Sequence, residues 1–264
     1  MIFQKTSPQA FFGTSALLFA ATASLTIMWC GSISAMGAMP MPGGWTMSMA
    51  WMPMPGQTWL AAMASFAGMW VVMMVAMMLP SLLPTLWRYR QTVGSTGKTR
   101  VNSLTALVGI AYYFVWSVLG IVLFPLGAAL AEIEMHRPTL VRVVPLAAGV
   151  VVVIAGAFQI TAWKAHHLAC CRELPGHDGT LPSDAATAWQ HGLRLGLHCI
   201  YGCAGFTAIL LVSGLMDLRV MAIVMAAITA ERLAPNGERI ARAVGIAIVG
   251  IGLLLIVRAT AGLG

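Results

Sequence analysis

Apolar residues in this chain gather in long blocks, and polar residues fall in the gaps between them. The blocks lie at 11–35, 59–83, 104–131, 143–163, 195–216, 220–233 and 243–261. Crossing the hydrocarbon core takes about 20 apolar residues, and the sixth block alone is clearly shorter. A helix satisfies its own backbone hydrogen bonds in lipid, so blocks of this length predict helices. Strand-period alternation over barrel-length segments is absent, which argues against a β-barrel. The pattern predicts an all-α, polytopic transmembrane helical bundle of about seven spans. It would form one integral membrane domain over 1–264, with the first span and an external loop in 1–58 and a six-span core in 59–264.

The polar gaps set an orientation. With the N-terminus inside, Lys5, Arg88, Arg90, Lys98, Arg100, Lys164, Arg172, Arg194, Arg232, Arg239 and Arg242 fall inside, and only Arg137, Arg142, Arg219 and Arg258 fall outside. Eleven against four, of 15 Lys and Arg in all, is the expected cytoplasmic bias and puts the C-terminus outside. Trp29, Trp59, Trp87 and Trp163 sit near span ends, where aromatic belts form. Lys5 ahead of an apolar stretch, and the small residues Ser32, Ser34 and Ala35, also fit a signal peptide. The stretch exceeds the usual signal core, so a retained span is expected. The expected location is the bacterial inner (cytoplasmic) membrane.

Composition sharpens this picture. The chain is 59% hydrophobic and 9% charged, where a soluble domain carries about 25% charged residues. A net charge of +7 without a basic run interleaved with aromatics does not point to nucleic acid. The bilayer is the expected surroundings.

Two Cys/His clusters stand at predicted inner boundaries. His166, His167, Cys170 and Cys171 follow span four, and His198, Cys199 and Cys203 open span five. Thiolate and imidazole suit soft or borderline metals such as Cu(I) and Zn(II). Cys199 and Cys203 are four residues apart and share a helix face. So would His166 with Cys170, and His167 with Cys171, if span four continues as a helix. Thiols on the cytoplasmic side are kept reduced, which favours a metal site over a structural disulfide. Cys30, alone in span one, reads as a small packing residue.

Methionine is in excess, with 19 residues. Met69, Met73 and Met77 form a stripe on span two, with Met74 and Met78 beside it, and Met221 and Met225 repeat the spacing on span six. Their thioethers are either soft ligands for Cu(I) or adaptable packing. The gap at 36–57 has no charged residue, and it carries Met36, Met39, Met41, Met47, Met49, Met52 and Met54 among prolines and glycines that argue against a helix. External capture of Cu(I) or Ag(I) is its candidate role. Gln159 and Glu231, polar within spans, are candidates for orienting a ligand. Glu231 reads equally as an interfacial salt bridge with Arg232. His136, His177 and His191 read as loop residues. Pro80 and Pro84 should kink or end span two.

These residues carry a resemblance. The motifs are Met69-Trp-x-x-Met73-Met74-x-Ala-Met77-Met78-x-Pro80-Ser81, then Gln159-x-Thr161-x-x-Lys164, the cysteines opening span five, Gly214-Leu-Met216-Asp217-Leu, and Ala230-Glu231-Arg232-Leu-Ala-Pro235. Together, over roughly residues 60–260, they resemble the predicted metal-binding integral membrane proteins of domain-of-unknown-function family 2182, some of whose members are labelled copper chaperones. In that family a Cys-Leu-x-x-Cys follows the lysine, and here His167 takes the first position and Cys171 the last. The family often opens span five with Cys-x-x-Cys-Cys, and here Cys199 is followed by Gly202 and Cys203. His166, His198 and Cys170 stand beside the replaced thiols.

The resulting expectation is a copper-handling membrane protein for binding, delivery or transport. Its inner ligands would be Cys170, Cys171, Cys199, Cys203, His167 and His198, with Met69, Met73, Met77 and Met78 as a path. Cu(I) is the expected metal and zinc the second choice. The expected partners are the metal ion and a metal-accepting or complex-forming membrane protein. An enzymatic role is the weaker expectation. A thiol oxidoreductase lacks a Cys-x-x-Cys, and an assembly subunit would use its methionines only to pack.

Overall fold

The structure, a computed structural model, describes residues 8–35, 39–41, 45–47, 51, 56–93, 97–136, 143–172 and 184–261. Every apolar block forms helix, and most helices overrun their blocks. They are α1 (Pro8–Ala35), α2 (Trp59–Thr92), α3 (Lys98–His136), α4 (Val144–Gln159), α5 (Ala162–Cys170), α6 (Ala185–Ser213), α7 (Leu218–Leu233) and α8 (Gly237–Ala261). Side chains of Thr58, Thr161, Asp184 and Asp217 cap α2, α5, α6 and α7 by accepting backbone N–H groups that the first turn leaves free.

Among the described residues, α1, α2, α3, α6 and α8 are long and apolar enough to cross a membrane. α4 and α5 pass the same test as a pair bent by 63°, giving up to six. The expected sixth span, α7, has 16 residues. At about 1.5 Å per residue it reaches about 24 Å, short of the roughly 30 Å of hydrocarbon.

Three boundaries differ from the sequence reading. α2 does not stop at Pro80 or Pro84 but runs on to Thr92, with Ser81 Oγ donating to the Met78 carbonyl at 2.9 Å. Span four is not one helix. The Ile160 and Thr161 amides each bond a carbonyl three residues back, and Thr161 then caps α5. α6 begins ten residues before the apolar block. Its first turns bury only Ala188, His191, Gly192 and Leu195, a single face, so they are amphipathic rather than apolar. His191, expected in a loop, is therefore helical and buried, its ring stacked on Tyr89 at 5.6 Å.

Part of the expected Met/Pro loop is ordered as a hairpin. β1 (Met39–Met41) and β2 (Trp45–Met47) are antiparallel, pairing Met39 with Met47 and Met41 with Trp45. Met36, Met49, Met52, Met54 and His177 lie outside the described residues.

Small residues bring the helices close. A β-carbon on Gly156 of α4 would fall 2.9 Å from the Gly245 carbonyl of α8, and one on Gly245 would fall 2.9 Å from the Gly156 carbonyl. Gly149 and Gly252 repeat the contact two turns away. On the opposite flank of α6, a β-carbon on Gly196 would fall 3.0 Å from the Tyr112 carbonyl of α3. Such glycines let helix backbones approach without a side chain between them. The α3–α6 approach at Gly196, one turn before Cys199, brings Tyr112 against Cys199.

Candidate metal centre

The site forms where α2, α3, α5, α6 and α7 meet. Cys199 and Cys203 project from one face of α6 with their sulfurs 3.9 Å apart, and both are buried. Two thiolates on one ion, with metal–sulfur bonds of about 2.3 Å, lie roughly 3.7–4.6 Å apart, so the pair is spaced for a shared ion. Tyr112 OH donates to Cys199 Sγ at 2.9 Å. The Arg232 guanidinium, at the end of α7, donates to Cys171 Sγ at 3.4 Å through Nη2 and to Ser81 Oγ at 3.4 Å through Nη1. Cys171, the C-cap of α5, is buried in the same core cluster as Cys199 and Cys203.

The break between α4 and α5 aims a second network at the same place. Lys164, on the first turn of α5, is 2% exposed and pairs with Glu231, 1% exposed, at 2.8 Å. Gln159 Nε2 donates to the other Glu231 oxygen at 3.3 Å. Lys164 Nζ also donates to the Gly202 carbonyl, next to Cys203. Glu231 thus pairs with Lys164, while its neighbour Arg232 turns to the thiols. Arg172 caps the end of α7, donating to the carbonyls of Glu231 and Ala234.

The expected inner ligands divide. Cys171, Cys199 and Cys203 come together around Arg232. Cys170 does not join them. It is half-buried and faces His166, with Cys170 Sγ 3.7 Å from His166 Nε2, because the helical rotation between adjacent residues sends it and Cys171 to different sides. His167 and His198 meet each other, Nδ1 to Nδ1 at 2.9 Å, beside Trp163 and Tyr201. Among the described residues, no group of three or more His, Cys, Asp and Glu side chains converges as a ready metal cage.

The methionine stripe lines the core beside the thiols. Met73, Met74, Met77 and Met78 are buried in the cluster that holds Cys199 and Cys203, and Met69 packs at its edge. Of the hairpin, Met39, Met41 and Met47 have paired backbones. The sequence reading missed Tyr112 and misread Arg232. The signal for Arg232 was its place in the Glu231-Arg232 motif, and Lys164 and Ser81 likewise close motifs already noted. Tyr112 carried no signal of its own.

A buried thiol pair in one core cluster with four methionines of α2 is a donor set suited to soft metals. The chain belongs to a copper chaperone family. The PpoB2 copper chaperone family model matches residues 67–255, which takes in α2 through most of α8 and every residue of the thiol site. The family region leaves out α1 and the methionine hairpin. No curated protein and no solved structure matches the chain.

Proposed function

We propose that this member of the copper chaperone family is a bacterial inner-membrane protein that holds Cu(I) between Cys199 and Cys203 and passes it on, with Cys171 as the exchange ligand. The observation that carries the reading is the buried Cys199–Cys203 pair, in the same core cluster as Cys171, on which Arg232 donates. Two thiolates around Cu(I) carry a net charge of −1, and burying a net charge without a partner is strongly unfavourable. The Arg232 guanidinium neutralises it. The same two thiolates around Zn(II) are already neutral, and Arg232 would leave an excess positive charge. The polar shell therefore favours a monovalent soft cation over zinc.

Met73, Met77 and Met78 would offer weaker thioether positions on the way to the thiols, with Met69 at the edge of the core. The external methionines Met39, Met41, Met47, Met49, Met52 and Met54 would capture the ion first. Gln159 and Glu231 hold Lys164, and Lys164 holds the Gly202 carbonyl. They would position the α6 turn that carries the pair rather than touch the ion. His167, His198 and Cys170 fall to a separate, more exposed cluster with His166 and are not ligands of the buried ion in this reading.

The test is bound copper in protein purified anaerobically and offered Cu(I), measured by mass spectrometry. The C199S/C203S double variant should lose the bound ion, and C170S should retain it. Full copper stoichiometry in the double variant would refute the site. Loss in C170S to the same degree would show that the two clusters act as one.

A further inference from the structure

A cavity of about 400 Å³ opens beside the thiol site. Its wall includes Cys171, Ser81, Thr85, Arg88, Arg172 and Arg232, with no Asp or Glu in the lining. None of the three arginines forms a salt bridge among the described residues. Arg88 donates to the Arg172 carbonyl at 3.2 Å, Arg172 to the two carbonyls at the end of α7, and Arg232 to Ser81 and Cys171. Arg172 Nε is buried with no hydrogen-bond partner. Three guanidiniums and no carboxylate give the mouth a positive potential. Such a mouth repels a bare cuprous ion and concentrates anions.

The cavity falls within the roughly 300–1,000 Å³ of small-molecule sites. That is too small for a folded partner to enter, and Cys171 is the one thiol on its wall. We propose that this cavity is an exchange port for a small anionic thiol, which takes copper from the Cys171 side of the site. The proposal rests on Cu(I) occupying the thiol site. In the exchange, bonds from Cu(I) to Cys171 and to the incoming thiolate sulfur form as its bonds to Cys199 and Cys203 break, and a second carrier thiolate then forms a bond to Cu(I) as the bond to Cys171 breaks. Each cysteine sulfur keeps its electron pair, Cys171 beside Arg232, and Cys199 and Cys203 take up the two protons that the carrier thiols release on ionising. The metal remains Cu(I) throughout and no electron is transferred. The carrier's remaining carboxylate is held by Arg88 on the cavity wall.

The experiment uses the full chain in detergent, loaded with Cu(I), with bound copper counted before each run. Copper release is then followed by stopped flow with N-acetylcysteine, an anion, and with N-acetylcysteine amide, the neutral analogue, at matched thiolate concentration. Release to the anion should be about tenfold faster at low salt, and the gap should close at high ionic strength. In R88E the preference should shrink or reverse. Equal rates for the two thiols on a copper-loaded protein would overturn the port. A protein that never takes up copper would instead overturn the thiol site, so the two failures are separable. Should R88E fold poorly, the comparison of the two thiols on the unaltered chain still decides.

Discussion

At the scale of single residues, the site is a case of charges placed where packed helices exclude water. Lys164 and Glu231 are almost wholly buried and 2.8 Å apart. Removing one member of such a pair leaves the other as an uncompensated buried charge, at a cost of about 3–5 kcal/mol, whereas replacing both with apolar residues can be nearly neutral. E231Q should therefore lower the thermal stability of the detergent-solubilised protein markedly, because Lys164 is left buried without its ionic partner. The double variant K164M/E231L should recover much of that loss, since Lys164 Nζ also lies over the Phe206 ring and methionine can fill that space. Thermal unfolding of the wild type, K164M, E231L and K164M/E231L gives the coupling. A double variant that simply sums the two single losses would show that the pair does not act as a unit.

Sequence alone carried these residues unevenly, for a physical reason. The thiols and thioethers were legible because sulfur in a greasy chain has few uses and the spacing of Cys199 and Cys203 fixes a common face. Which ionic partner each charge takes was not legible. Glu231 and Arg232 are adjacent and looked like each other's partners. Adjacent helical residues point about 100° apart, so one turns to Lys164 and the other to Cys171. The same rotation separates Cys170 from Cys171.

At the scale of elements, the apolar blocks located the helices but did not separate α5 from α4, and they misplaced ends wherever a helix changes character. α6 gains its first ten residues from an amphipathic stretch that block hydropathy does not register. The division of span four into α4 and α5 hangs on Thr161, whose hydroxyl both donates to the Phe158 carbonyl at 2.6 Å and accepts the Lys164 amide. A break in a membrane helix is tolerated where its free backbone groups are buried in protein or face a polar cavity, and this one turns Lys164 and Cys171 toward the site. The α4–α8 crossing then decides whether that turn is held. At Gly156, any side chain meets the α8 backbone at Val249 N and Gly245 O. G156L should force the helices apart and lower stability by about 1–3 kcal/mol or more, the range for overpacking a filled interface. G250L, on α8 where an added β-carbon meets nothing, should be close to neutral. Melting temperatures of the two variants check this, and equal losses would show that the crossing is not the tight element.

At the scale of the whole molecule, the sidedness of the C-terminus turns on one short helix. By length and hydropathy α7 is not a crossing, and six crossings would return the C-terminus to the side of the N-terminus. The distribution of Lys and Arg asks for seven. A seventh crossing would require α7 to stop short of the full hydrocarbon thickness. α7 starts from the Asp217 cap after α6, ends at Arg232 beside Ser81 and Cys171, and has its last carbonyls closed by Arg172. Its inner end therefore stops at a cavity lined by arginines rather than in lipid, and a helix that meets such a cavity need not span the full hydrocarbon thickness. A reporter that is active only outside the cytoplasm, fused after residue 264, should be active, and one fused within 173–183 should be silent. A silent C-terminal fusion would make α7 re-entrant and place both ends of the chain on one side. It would leave the thiol site intact but reverse the direction in which α8 leaves it.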